Sequence, residues 1–169
     1  MASLMEDLLE TLSREADEYE TLLSCTQDKK RAVITADLPA LEGVTAKEQE
    51  VTDRLKVLEH KRLVTLKNMG EVMGKGHILT VTDTIELLGR QPNEQKKLTE
   101  ARDRLRGVAD KVQLANVQCE ALIRQALEMV EYDMTLIKGM RQAPETANYG
   151  RNAENTGDIL GRRGFDAKQ

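Results

Sequence analysis

Residues 92–141, PNEQKKLTEARDRLRGVADKVQLANVQCEALIRQALEMVEYDMTLIKGMR, decide the fold. Leu98, Ala101, Leu105, Val108, Val112, Ala115, Cys119, Leu122, Ala126 and Met129 return every three or four residues, the seven-residue repeat that lines up an apolar seam along one side of a helix. Pro92 suits a first helical turn, where its missing N–H costs nothing, and Gly107 is the one weak point inside the pattern. The spacing predicts a single long helix from 92 to about 141 whose seam packs against other helices.

The same periodicity appears upstream. Met5, Leu8, Leu9, Leu12, Ala16, Tyr19, Leu22 and Leu23 mark a first helix over about 4–35, with Ser3 and Glu6 as its expected capping box. Asp37 is a good N-cap and Pro39 fits a first turn, so a second helix is expected over 38–73. The short break between them demands an antiparallel hairpin. The second helix carries a seam of Leu41, Val44, Val51, Leu55, Leu58, Met69 and Val72, interrupted by Glu48 and Arg62. Charges at seam positions fix register or pair across helices. Gly70, Gly74 and Gly76 then end that helix, and Thr80 with Asp83 caps a short connector over 80–88. Beyond 141, Pro144 and four glycines punctuate a stretch poor in apolar residues. Residues 142–169 are therefore expected to form a disordered tail, with Tyr149 and Phe165 as anchors should it order on a partner.

Composition points the same way. Aromatic residues make up 2% of the chain and charged residues 32%, so the core must be aliphatic and the class all-α: an antiparallel hairpin plus one long helix in an elongated, coiled-coil-like bundle. The 25 basic and 29 acidic residues are interspersed, giving a net charge of −4 and no basic stripe for nucleic acid. Apolar runs such as Ala32–Ile34 are too short for a membrane span or a signal-peptide core, so a cytoplasmic protein without membrane insertion is expected. Cys25 and Cys119 fall among apolar helical positions, where buried free thiols are expected instead of a disulfide.

Chemistry-bearing motifs are scarce. Gly70-Glu71-Val72-Met73-Gly74-Lys75-Gly76 resembles a phosphate loop, but it is one residue short, lacks the Ser or Thr that would hold magnesium and follows no strand. A helix C-cap and turn explains it. His60 and His77 have no His or Cys at metal-ligand spacing. The many acidic pairs read as solvated helix faces, and Cys119 without a positioned histidine reads as core. Neither an enzyme nor a metal or cofactor site is expected.

The helix lengths point to a site of a different kind. At 1.5 Å per residue the three long helices span roughly 48, 54 and 75 Å. The last, packed back along the hairpin, is expected to run roughly 20 Å past the Asp37 turn. The residues beyond about 126 are nevertheless apolar: Ala126, Leu127, Met129, Val130, Met134, Ile137 and Met140, beside Tyr132. An uncovered stripe of that kind implies a partner, and its three methionines suit a surface that adapts to more than one ligand. The alternative is that the tail or a bent first helix covers it.

Several of these segments, taken in order, carry a resemblance. Leu8, Leu12, Glu15, Tyr19, Leu22 and Leu23 are followed by Asp37-Leu38-Pro39-Ala40-Leu41-Glu42 and by the run from Glu48-Gln49 to Leu58-Glu59-His60-Lys61-Arg62. Then come the short helix Thr82 to Leu88, the long helix with Leu114, Asn116, Leu127 and Tyr132, and a tail with Asn148-Tyr149-Gly150-Arg151 and Arg163-Gly164-Phe165-Asp166-Ala167-Lys168. Together they resemble the FlgN family of flagellar export chaperones over nearly the whole chain. The resemblance implies a cytosolic chaperone that binds the C-terminal helical segments of hook-filament junction (hook-associated) proteins and keeps them unassembled. It would deliver them to the type III export gate and its ATPase complex. It also implies that the C-terminal region binds the client, and that Tyr132 touches the gate. The competing reading is a structural coiled coil that forms a homodimer through its long helices.

Overall fold

A computed structural model describes the backbone of residues 2–166 and the side chains of residues 2–142. Four helices follow one another: α1 (Ala2–Ile34), α2 (Leu38–Val72), α3 (Val81–Leu87) and α4 (Pro92–Asp166). The chain divides into two compact units, Met1–Ile123 and Arg124–Gln169. The first holds the core.

α1 begins at Ala2, so Ser3 lies inside the helix and is not its N-cap. Alanine is the strongest helix former and carries the helix one residue beyond the expected cap. At the other end, the Asp37 N–H reaches Ala32 O at 2.9 Å and the Ala36 N–H reaches Val33 O at 3.2 Å. This paired arrangement needs a left-handed residue at its corner, and Ala36 supplies it at φ 53°. Asp37 then caps the next helix, its carboxylate accepting the Ala40 N–H at 3.0 Å, with Pro39 in the first turn as expected. One aspartate thus closes α1 and opens α2, which folds the two into a tight hairpin.

Ion pairs show the hairpin's antiparallel register. Lys29 Nζ meets Glu48 Oε2 at 2.8 Å, Arg54 Nε meets Glu18 Oε1 at 2.9 Å, and Arg62 Nη1 meets Glu15 Oε2 at 3.0 Å. Both charged interruptions of the α2 seam therefore pair across to α1. The Arg62 partner is buried, with the Glu15 side chain 3% exposed. Burial pushes the Glu15 carboxyl up, against the Arg62 charge, which pulls it down.

Met5, Leu8, Leu12 and Ala16 of α1 meet Leu66 and Met69 of α2, Leu79, Ile85 and Leu88 around α3, and Leu98 and Leu105 of α4. α3 carries the expected capping box: the Asp83 N–H donates to Thr80 Oγ1 at 3.0 Å and the Thr80 N–H to Asp83 Oδ2 at 2.9 Å. Those bonds to Thr80 hold the Asp83 carboxyl below its usual range. The glycine-rich turn before it is a helix terminus. Gly74 adopts φ 67°, its N–H donating to Glu71 O, while the Lys75 N–H donates to Gly70 O. Gly70 is buried inside α2, and a Cβ there would stand 2.8 Å from His77 O. The turn folds back against the helix at Gly70, where no side chain stands in its way.

Along α4, Leu98, Leu105, Val108, Val112, Ala115 and Cys119 are buried, as the seven-residue repeat predicts. Two further expectations are corrected. Val72 is exposed and Met73 is half-buried in its place, because a straight helix drifts about 20° per seven residues against a strict heptad. α4 also extends to Asp166 and does not end near 141; Ala143, Glu145, Ala147, Arg151, Ala153 and Glu154 are good helix formers beside the Pro144 that suggested a stop. The tail assigned to 142–169, with Tyr149 and Phe165, lies outside the described side chains.

Two stability changes follow from these contacts. Arg62→Met leaves Glu15 buried without its cation and lowers stability by about 3 kcal/mol at neutral pH. Glu15 already has a raised pKa, so its ionisation opposes folding as pH rises through the folded value. Losing Arg62 raises that value further, and the deficit shrinks as pH falls toward the ordinary value of 4.5. Urea unfolding at pH 4 and pH 7 checks this, and Glu15→Met with Arg62→Leu restores the loss. Ala36→Gly relieves the left-handed alanine and gains about 1 kcal/mol, roughly 3 °C in Tm for a chain of this size, read by calorimetry.

Candidate functional site

The apolar residues of α4 beyond Ile123 are the first candidate. Leu127, Met129, Val130, Met134, Ile137 and Met140 range from 52% to 75% exposed, and Ala126 is half-buried. Tyr132 is 65% exposed on the same helix. Seven-residue spacing keeps running through this segment, as Cys119, Ala126 and Met140 share one register. It adds Leu136, itself 48% exposed, which a reading by local apolar clusters misses and the register finds. Every expected residue of the stripe thus lies on one helical segment, and all but Ala126 are exposed.

Within the first unit, α1, α2 and α4 leave a cleft of about 370 Å³ lined by Leu22, Lys29, Glu48, Thr52, Asn116, Cys119, Glu120 and Ile123. Sequence reading gave no sign of it, because its walls come from three helices far apart along the chain. Its chemistry is that of a satisfied polar layer. Lys29 and Glu48 are tied to each other, and Thr26 Oγ1 beside it lies 3.0 Å from Leu22 O and 3.3 Å from Asn116 Oδ1. Burial pushes the Cys119 thiol up, which keeps it protonated and poorly nucleophilic. Cys25 is likewise buried, free and pushed up by burial. Among the described residues, no group of three or more His, Cys, Asp or Glu could hold a metal ion, and no helix is long and apolar enough to cross a membrane.

The stronger candidate is therefore the exposed surface of one helical segment and not the cleft. A helical segment with an exposed apolar face is the form expected of a helix-binding protein. The family model described as FlgN protein matches residues 1–157. The chain belongs to the FlgN family. No curated protein and no solved structure matches it. FlgN proteins are flagellar export chaperones and not enzymes, and as a group they bind hook-associated proteins. The match takes in both hairpin helices, the connector and the exposed segment of α4.

Proposed function

We propose that this FlgN protein is a cytosolic chaperone whose exposed α4 segment binds the C-terminal helical segments of hook-filament junction proteins. It keeps them unassembled and delivers them to the flagellar export gate and its ATPase complex. The observation that carries this reading is the run from Leu127 to Met140, in which every large apolar side chain is exposed. A client helix that lays its own stripe along this run buries apolar surface on both partners. Leu127, Val130, Met134 and Ile137 are the anchors in this reading, since a few central side chains dominate such contacts. Met129, Met134 and Met140 let one surface fit two different clients. Tyr132 lies on another side of the helix from those anchors and stays available for the gate.

Self-association is the second reading, favoured by the same exposed stripe, which two copies of the chain could bury together. Calorimetric titration separates the two. The chaperone reading expects one-to-one binding to the C-terminal segments of this organism's hook-filament junction proteins, with a negative heat-capacity change and no binding to a flagellin segment. Val130→Asp with Ile137→Asp weakens that binding at least 100-fold, since each buried anchor contributes about 1.5–3 kcal/mol, while circular dichroism stays helical. Unchanged affinity in the double variant rejects this surface. A dimer that persists on dilution, with no client binding, supports the coiled coil.

A further inference from the structure

The exposed segment of α4 carries two apolar rows where the bundled part carries one. The first row continues the seam: after Leu98, Leu105, Val112 and Cys119 come Ala126, Asp133 and Met140, with Met129 and Leu136 between them. The second row lies one residue further on, at Leu127, Val130, Met134 and Ile137. A shift of one residue is a rotation of roughly 100° around the helix. At the matching positions of the bundled part this second row is mostly polar, with Thr99, Arg102, Arg106, Gln113, Asn116 and Glu120; Ala109 and Ile123 are the exceptions. There the first row is buried. From Leu127 onward the large apolar residues of both rows are exposed.

In the bundled part the single row already meets both helices of the hairpin, at Leu98 and Leu105 in the core and at Cys119 beside the cleft. Two apolar rows side by side make a wider face still, which a single helix leaves partly bare. Asp133 adds a charge requirement. It is the sole charged residue of the first row and is exposed, with no ion pair among the described residues. A lone charge at a seam position selects partner and register, and a carboxylate there selects a cation.

Building on the proposed chaperone role, we infer that α4 binds two helices of one client at once, one along each row, and that the helix on the Asp133 row places a Lys or Arg opposite that carboxylate. A second copy of this chain fits poorly. Asp133 stands at the midpoint of residues 126–140, so parallel or centred antiparallel self-pairing brings the two carboxylates together. Like charges facing each other across a seam disfavour the pair.

The test uses the full chain and the C-terminal helical segment of a hook-filament junction protein. Asp133→Lys is expected to weaken binding at least tenfold with helicity unchanged, and reversing the facing Lys or Arg of the segment to Glu restores it. A photo-cross-linking residue at position 130 and another at 136 are expected to label two different helices of the bound segment. Binding within twofold of the natural chain for Asp133→Lys overturns the charge assignment. Labels from both positions on a single helix overturn the two-helix arrangement. In either case the natural chain still binds and the chaperone reading stands, whereas no binding by the natural chain rejects that reading and this inference with it.

Discussion

The seven-residue seam of α4 is the constraint on which the rest of this structure depends. It selects Leu98, Leu105, Val108, Val112, Ala115 and Cys119 for burial, and so decides which face of the helix the hairpin receives. The polar row beside it, from Thr99 to Glu120, lets the bundled part accept neighbours on one side only. Arg104, on the flank, reaches Asp17 at 2.7 Å and Glu20 at 3.0 Å on α1. Such an exposed contact adds little energy but agrees with the register that the seam imposes.

The hairpin meets that seam with an interior that is not uniformly apolar. Glu15 with Arg62 and Lys29 with Glu48 place two ion pairs along the α1–α2 interface. Buried threonines satisfy their own helices, Thr11 donating to Asp7 O at 2.7 Å and Thr65 to Lys61 O at 2.9 Å. An all-aliphatic interface between two straight helices tolerates a slip of one turn at small cost. Shifting this hairpin by one turn separates Glu15 from Arg62 and leaves a carboxylate buried alone, which costs several kcal/mol. The ion pairs thus act on register more than on net stability.

Much of this was legible in the sequence because one side-chain period governs most of the chain. The three long helices, the Asp37 cap, the Thr80–Asp83 box and the α4 seam all come from short-range rules that operate within a few residues. The misses have longer-range causes. Met73 replaces Val72 because small angular drifts accumulate along a straight helix. Glu15 looks like an ordinary surface carboxylate until the hairpin sets it against Arg62. Gly70 reads as a helix stop, but its role is to let His77 pass, a contact made by the turn that follows. The polar cleft lined by Lys29, Glu48 and Asn116 needs three helices in place before it exists.

Exposed apolar side chains are a liability in a free protein, so their arrangement on α4 matters as much as their number. Arg124, Glu128, Glu131, Thr135 and Lys138 occupy the remaining face of the segment, which keeps one side hydrated whatever covers the other two. The change in row composition near Ile123 coincides with the boundary between the two compact units. Up to that point a polar second row matches a helix with a single buried face. Beyond it, the same register with an apolar second row presents a wider apolar face. The boundary of the first unit therefore marks no break in α4 but a change in the chemistry of the row beside the seam.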